Sequence, residues 1–402
     1  MRVFLLLAVA LLWPVSGTAA VEPALAPNTA ALKKIEALKP NHAVLLGDAR
    51  VVGDFNDIAR RFNLDKTGPR ARDYSLKMVW APERKRAIFL GANHRVPHRL
   101  NDVWEFDLGA LAWVLLYAPD NPRGYHDLGE DVSDVEFRDG ILVTKRGGPA
   151  VIAHTWSGLT YDPVHREALF MSTWATDQKK AVEQLGGDPN ELYGGPPLWA
   201  FSPETRQWRP IKTTKPWPKA PLAGMLEYVP ELGGAIWHTN NFKMRATWLY
   251  DPAANTWRDL GASGRGADFA QAAPQPEQIA YYDPQRHIVV AQRGLDTYHF
   301  DVNNRQWTKV VSGDEAHVPF GHDRFASIAF DPRSGHGLLV DMKRNTLWAY
   351  DPDKPAWTRL TPAGAPMPAG KKRLPYFDPA YGVLVVIDGT KVWAYRYQAP
   401  SH

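Results

Sequence analysis

From Tyr74 onward the chain is dominated by short apolar runs, each ending at or near an aromatic residue and broken by a turn pair. In residues 247–260, TWLYDPAANTWRDL, one run ends at Tyr250, Asp-Pro breaks it, and a second run is centred on Trp257. Runs of this kind separated by a few turn residues predict a β-hairpin. The unit recurs at 102–115, 197–212, 296–310 and 346–360. Its register is strict. With Asp107, Ser202, Asp251, Asp301 and Asp351 as anchors, Trp113, Trp208, Trp257, Trp307 and Trp357 each lie six residues on. Trp104, Trp199, Trp248, Tyr298 and Trp348 stand three residues before the anchors. The last three anchors are about fifty residues apart, the spacing of propeller-blade repeats.

A second hairpin class interleaves with the first. It reads YSLKMVWAPERKRAIFLGA at 74–92 and returns at 159–172, 225–238, 279–292, 328–341 and 374–388. Each copy is strand, Asp-Pro-type turn, strand, and the second strand is mostly apolar, as for burial on both faces. One copy of each hairpin makes a four-stranded antiparallel unit, and six units can be counted. The sixth lacks its Trp-bearing outer strand, because the chain ends at His402 soon after KVWAYRY (391–397). An unpaired edge inside a closed ring is costly, so a strand from before Tyr74 is expected to complete it. Residues 42–55, which read as one or two β-like runs around Gly47-Asp48, are the best donor. The expected fold is all-β: a six-bladed propeller of four-stranded antiparallel blades, the last closed by an N-terminal strand. A seventh blade built from 136–152 is the alternative. Short helices are expected at 29–38 and 57–62.

With its aromatic before the turn and its tryptophan six residues beyond, the repeat resembles the kelch-type β-propellers, the group that includes the central domain of galactose oxidase-like proteins. The resemblance covers residues 74–398. The usual double glycine after the second strand is mostly missing, so the likeness is to the architecture. That family's copper radical cofactor needs a tyrosine cross-linked to a cysteine, and this chain has no cysteine. The oxidase activity is therefore not carried over.

The first twenty residues read as a secretory signal, with Arg2, an apolar core at 3–12 and Thr18-Ala19-Ala20 as a small-residue cleavage site. The apolar run is shorter than the ~20 residues a bilayer needs. The organisation expected is 1–20 signal, 21–73 closing segment and 74–402 propeller, in a protein that is periplasmic or secreted, has no membrane span after processing and works as a monomer. Without cysteine no disulfide forms, and stability must come from burial. Net charge is +4, with both signs abundant and no basic run, which gives no sign of nucleic-acid binding.

Alternating strand directions put the uniform Asp-Pro turns at one end of the ring and every long loop at the other. Variable loops on a rigid scaffold are where binding residues concentrate. The loop end is expected to carry His94, Arg95, His98, Arg99, His126, His154, Trp156, Trp174, His238, Asn240, Asn241, Lys243, His317, His322, Asp323 and Arg324. Residues just before each inner strand should line the channel mouth: Asp73, His154, Trp156, Asp323, Arg324 and Arg373. His165, His287 and His336 fall in the opposite turns. Two insertions, 118–153 and 176–196, sit on the loop end, and the first contains the acidic stretch HDLGEDVSD. That stretch lacks the loop spacing of a calcium site and reads as a solvated turn. HExxH, a nucleophile elbow, a P-loop and a dinucleotide fingerprint are all missing, and no cofactor or metal is expected. Two function classes remain. One is a binding propeller for a glycan or a protein, with Trp156, Trp174 and Trp217 available to stack on sugar faces. The other is a sugar or uronate epimerase or lyase, with His154 or His322 as base and Arg324 neutralising a carboxylate.

Overall fold

A computed structural model describes residues 25–69, 72, 74–91, 99–124, 126–152, 154–218, 223–241, 244–261 and 273–399. Six antiparallel blades form a ring. Blade 1 consists of Val79–Ala81, Arg86–Leu90, Val103–Asp107 and Ala112–Tyr117, and blade 2 of Leu159–Asp162, Glu167–Met171, Leu198–Ser202 and Gln207–Ile211. Blade 3 is Met225–Val229, Gly234–Asn241, Met244–Asp251 and Thr256–Asp259; blade 4 is Ile279–Asp283, Ile288–Arg293, Asp296–Asp301 and Gln306–Ser312. Blade 5 is Ala326–Asp331, His336–Asp341, Thr346–Asp351 and Ala356–Leu360, and blade 6 begins with Leu374–Asp378, Val383–Asp388 and Lys391–Arg396. The first strand of every blade touches the first strands of both neighbours, all the way round. These inner strands line the central channel.

The repeat has a physical basis in its turns. In the first turn of a blade the Asp carboxylate folds back onto its own turn: Oδ1 of Asp162 accepts from the N–H groups of Val164 (2.9 Å) and His165 (3.2 Å), and Oδ1 of Asp378 from those of Ala380 (3.0 Å) and Tyr381 (3.2 Å). Proline after it presets the turn. The turn closes on a residue with positive φ: Lys85, Arg166, Gly233, His287, Gly335 and Gly382 occupy this place in blades 1 to 6. Only Gly takes that conformation without cost, and the other blades fill it with Lys, Arg or His.

The aromatics follow the same register. Phe106, Phe201, Tyr250, Phe300 and Tyr350 sit directly across from Trp113, Trp208, Trp257, Trp307 and Trp357. Their ring centroids lie 4.9, 5.2, 5.3, 5.2 and 4.9 Å apart. Trp104, Trp199, Trp248, Tyr298, Trp348 and Trp393 occupy equivalent places on successive third strands.

The ring closes through the N-terminal segment. His42–Asp48 pairs antiparallel with Lys391–Arg396, with a bulge between Leu45 and Gly47, and becomes the outer strand of blade 6. The predicted 42–55 stretch divides there. Arg50–Val52 crosses to blade 1 and lies parallel to Ala112–Val114 on its outer edge. Ala363–Gly364 adds a fifth, parallel strand outside His42–Ala43. Helices Thr29–Glu36 and Asp57–Arg61 form where expected, each capped by an asparagine.

The insertions do not make a seventh blade. Residues 136–152 contribute a two-stranded hairpin, Val135–Arg138 with Ile141–Thr144. It packs against helix Gln178–Gln184 around Leu128, Val135, Leu142, Ala175, Ala181 and Val182. The acidic stretch is held by arginines: Asp127 pairs with Arg99, and Asp131 and Asp134 with Arg123. Among the described residues no helix is long and apolar enough to cross a membrane. The proposed signal, residues 1–20, lies outside the described residues.

Candidate functional site

At the loop end, the segments that enter the inner strands meet around Tyr74. Its ring centroid lies 5.3 Å from His154, 6.5 Å from Trp156 and 6.4 Å from His322. The Arg324 guanidinium sits over the same ring, 5.4 Å from its centroid. Four residues from two other segments thus surround one tyrosine. The backbone there is tightly held. Glu277 N–H donates to Ala223 O at 3.1 Å, Asp323 N–H to Glu277 O at 3.1 Å, and Leu226 N–H to Ser157 O at 3.0 Å. Tyr74, His154, Trp156, Ala223 and Glu277 all have φ between 51° and 68°. Bulky side chains rarely adopt that region, and such strain clusters where a site is built.

His322 is the chemical centre of the group. Its Nε2 is 3.0 Å from Oε2 of Glu277, and its Nδ1 is 3.2 Å from Oδ1 of Asp323. Burial disfavours a charged ring, but the two carboxylates outweigh it and raise the His322 pKa. The bond to His322 holds the Glu277 carboxyl below the usual range. Burial pushes Asp323 the other way, up to about 6, against the pull of His322. The Arg324 N–H donates to Nδ1 at 3.2 Å when the ring is neutral. The neutral ring then carries its proton on Nε2, toward Glu277. In the imidazolium, Nδ1–H faces Asp323. An imidazole held between two carboxylates is the kind of group that acid–base work requires. Close by, the buried indole N–H of Trp156 has no hydrogen-bond partner among the described residues.

The other expected residues are placed differently. His238 is on a strand of blade 3 and fully buried, with Nδ1 3.0 Å from Thr247 Oγ1 and the Trp307 ring 4.5 Å away. Burial lowers its pKa to about 3. It packs blade 3 against blade 4 and does not reach the mouth. Arg373 is also fully buried, and its Nη1 donates to Asn345 Oδ1 (2.6 Å) and to the Pro368 carbonyl. Trp174 lies with the insertions, where its indole donates to Gly195 O at 2.8 Å and its ring meets Tyr193. Trp217 packs on the same Tyr193 ring at 5.6 Å. Asn240 and Asn241 end the second strand of blade 3. Asp73, His94, Arg95, His98 and Lys243 lie outside the described residues.

Tyr74 and Glu277 were missed by sequence reasoning. Both directly precede an inner strand, the same position that singled out His154 and Asp323, and Glu277 carries a carboxylate there. That pattern would have found them.

No protein-family profile matches the chain. No curated protein matches it either. Among solved structures it is similar to TolB from Acinetobacter baumannii, at 11% identity and a TM-score of 0.37, over 72% of this chain and 54% of that one. The chain thus spans about half the length of that structure.

Proposed function

We propose that this protein is an exported propeller of the kelch type, similar in architecture to the galactose oxidase central domain, and a binding module for a glycan. The ligand sits at the loop end of the channel over Tyr74. The observation that carries the reading is the convergence of His154, Trp156, His322 and Arg324 on that one ring. An aromatic platform beside an arginine, a histidine and carboxylates suits a polar ring-shaped ligand that bears a carboxylate. The bare indole N–H of Trp156 adds a donor.

A second reading has its own support. His322 between Glu277 and Asp323 has the form of an acid–base pair, and a uronate epimerase or lyase needs one. The test is a glycan array with the purified protein, followed by turnover assays on each hit. His154→Ala, His322→Ala and Arg324→Ala should abolish binding. His165→Ala and His287→Ala, in the opposite turns, should leave it intact. The reverse pattern would place the site on the wrong face, and a protein ligand captured without any glycan hit would remove the sugar assignment.

A further inference from the structure

The channel has a second feature at its other end. The residue just before each first turn is aromatic in all six blades: Trp80, Tyr161, Tyr228, Tyr282, Phe330 and Phe377. Together they form a collar around a cavity of about 360 Å³, rimmed by the turn prolines Pro82, Pro163, Pro230 and Pro284. Trp80 stacks on Tyr376 of blade 6 at 6.4 Å and 15°, and Phe330 on Tyr281 of blade 4 at 5.5 Å and 17°. The floor is one ion pair. Lys77 Nζ is 2.5 Å from Glu227 Oε1 and donates to Leu226 O at 2.9 Å. Toward the loop end it adjoins a smaller pocket of about 10 Å³, which shares Lys77, Ala280 and Ile328 and is also lined by Trp156, Ser157 and Asp323.

The chemistry of the wall narrows the ligand. A ligand with many hydroxyls needs many free donors and acceptors, and the three collar hydroxyls have spent their own. Tyr161 donates to Glu83, Tyr282 to Glu231, and Tyr228 bonds Asp162. The other three collar rings carry no hydroxyl. The lining is mostly apolar and rich in rings, which favours contact with another flat ring. With Glu227 ionised the floor pair is internally neutral, so it does not call for a charged ligand. Burial also pushes the Glu227 carboxyl up to about 7, against the pull of Lys77. The volume falls at the small end of the ~300–1,000 Å³ typical of ligand pockets.

We infer that the turn end of the channel is a binding site for a small, flat, uncharged aromatic molecule whose single polar substituent meets Lys77 and Glu227. The rings of the ligand stack within the collar, and its hydroxyl or carbonyl replaces water at the floor.

1-Naphthol is the probe, titrated by calorimetry into the full chain. Saturable one-to-one binding is expected, methyl glucoside should not displace it, and His322→Ala should bind as well as the parent. Ala329→Trp places a large side chain in the cavity, since Ala329 lines it. It should weaken 1-naphthol about tenfold or more, because a filled cavity leaves no apolar area to bury. Phe330→Leu keeps the apolar volume and removes a stacking ring, and it should weaken binding even if Ala329→Trp fails to fold. No saturable binding, displacement by methyl glucoside, or parental affinity in Phe330→Leu would each overturn the inference.

Discussion

Nε2 of His322 lies 3.0 Å from Oε2 of Glu277, an ion pair between the connectors that enter blades 4 and 5. The pair links proton uptake to the geometry of the loop end. The folded pKa of His322 is raised above its ordinary value of about 6.5. Its contribution to stability is therefore full below that value and is lost as pH rises through the folded pKa. Thermal unfolding of the parent and of His322→Gln, followed across that window, should show the parent losing its advantage as pH increases. Parallel curves would mean that the pair carries no linkage.

His238 should act with the opposite sign. Burial lowers its folded pKa to about 3, so between about 3 and the unfolded value of about 6.5 the unfolded chain binds the extra proton. Stability from this site is present above about 6.5 and falls as the solution is acidified. His238→Phe keeps a ring beside Trp307 and should flatten the acid limb of the melting-temperature profile. An unchanged acid limb would assign it to other groups.

Arg72 and Asp102 form a fully buried pair in which Nη2 donates to both carboxylate oxygens, at 2.6 and 2.8 Å, and Asp102 also accepts from the Trp104 indole at 2.6 Å. Removing one partner leaves an uncompensated buried charge, which costs about 3–5 kcal/mol. Asp102→Ala should lower stability by that order in denaturant unfolding. A double replacement with apolar residues of similar volume should recover much of the loss.

Adjacent blades are also stitched by indoles. Trp307 donates to Thr247 Oγ1 at 3.0 Å and Trp357 to Thr297 Oγ1 at 2.8 Å, each acceptor sixty residues upstream. Thr297→Val keeps the shape and strands both the indole donor and Gln292 Oε1, to which the hydroxyl donates at 2.6 Å, at a cost of about 1–3 kcal/mol for each. Thr160→Val is a contrasting case, because there the hydroxyl accepts from the backbone N–H of Tyr228. Equal stability of Thr297→Val and the parent would show that the indole bond carries nothing.

The blades were legible because their determinants are local. An Asp that caps its own turn, a residue of positive φ four places on and an aromatic pair across one hairpin all fall at fixed spacing. The closing strand was legible from the missing outer strand of blade 6. Gly47-Asp48 hinted at a second run in 42–55, but its pairing with blade 1 was not legible, because no local spacing says which edge a three-residue strand joins. The site was legible only in part. Position before an inner strand found His154, Trp156, Asp323 and Arg324. It also took in Arg373, whose guanidinium the fold turns onto Asn345 and Pro368. His238 was grouped with the loops, yet the second strand of blade 3 extends to Asn241 and buries it. Burial of a single polar side chain depends on neighbours from another blade, here Trp307, and hairpin spacing carries no information about those.

The last prediction concerns closure. His42–Asp48 covers the edge of Lys391–Arg396, and the bonds around it join the two ends of the chain. Tyr395 Oη donates to Asn41 Oδ1 at 3.0 Å, Arg396 Nη2 to Ile35 O at 2.8 Å, and Thr390 Oγ1 to Asp48 Oδ1 at 2.8 Å. On the blade 1 side, Arg50 N–H donates to Leu111 O at 3.0 Å. Ile35 and Leu46 are 3% and 4% exposed, and burying such a side chain stabilises by about 1.5–3 kcal/mol. Those two residues alone supply about 3–6 kcal/mol, a large part of the ~5–15 kcal/mol by which a domain is stable. A chain lacking residues 21–55 should therefore melt far lower than the parent, or fail to fold, and expose an edge strand that promotes association. Adding residues 25–55 as a separate peptide should restore much of the melting temperature in a concentration-dependent way, as binding to the folded state requires. If the truncated chain unfolds at the parental temperature, the N-terminal segment is not the clasp of the ring.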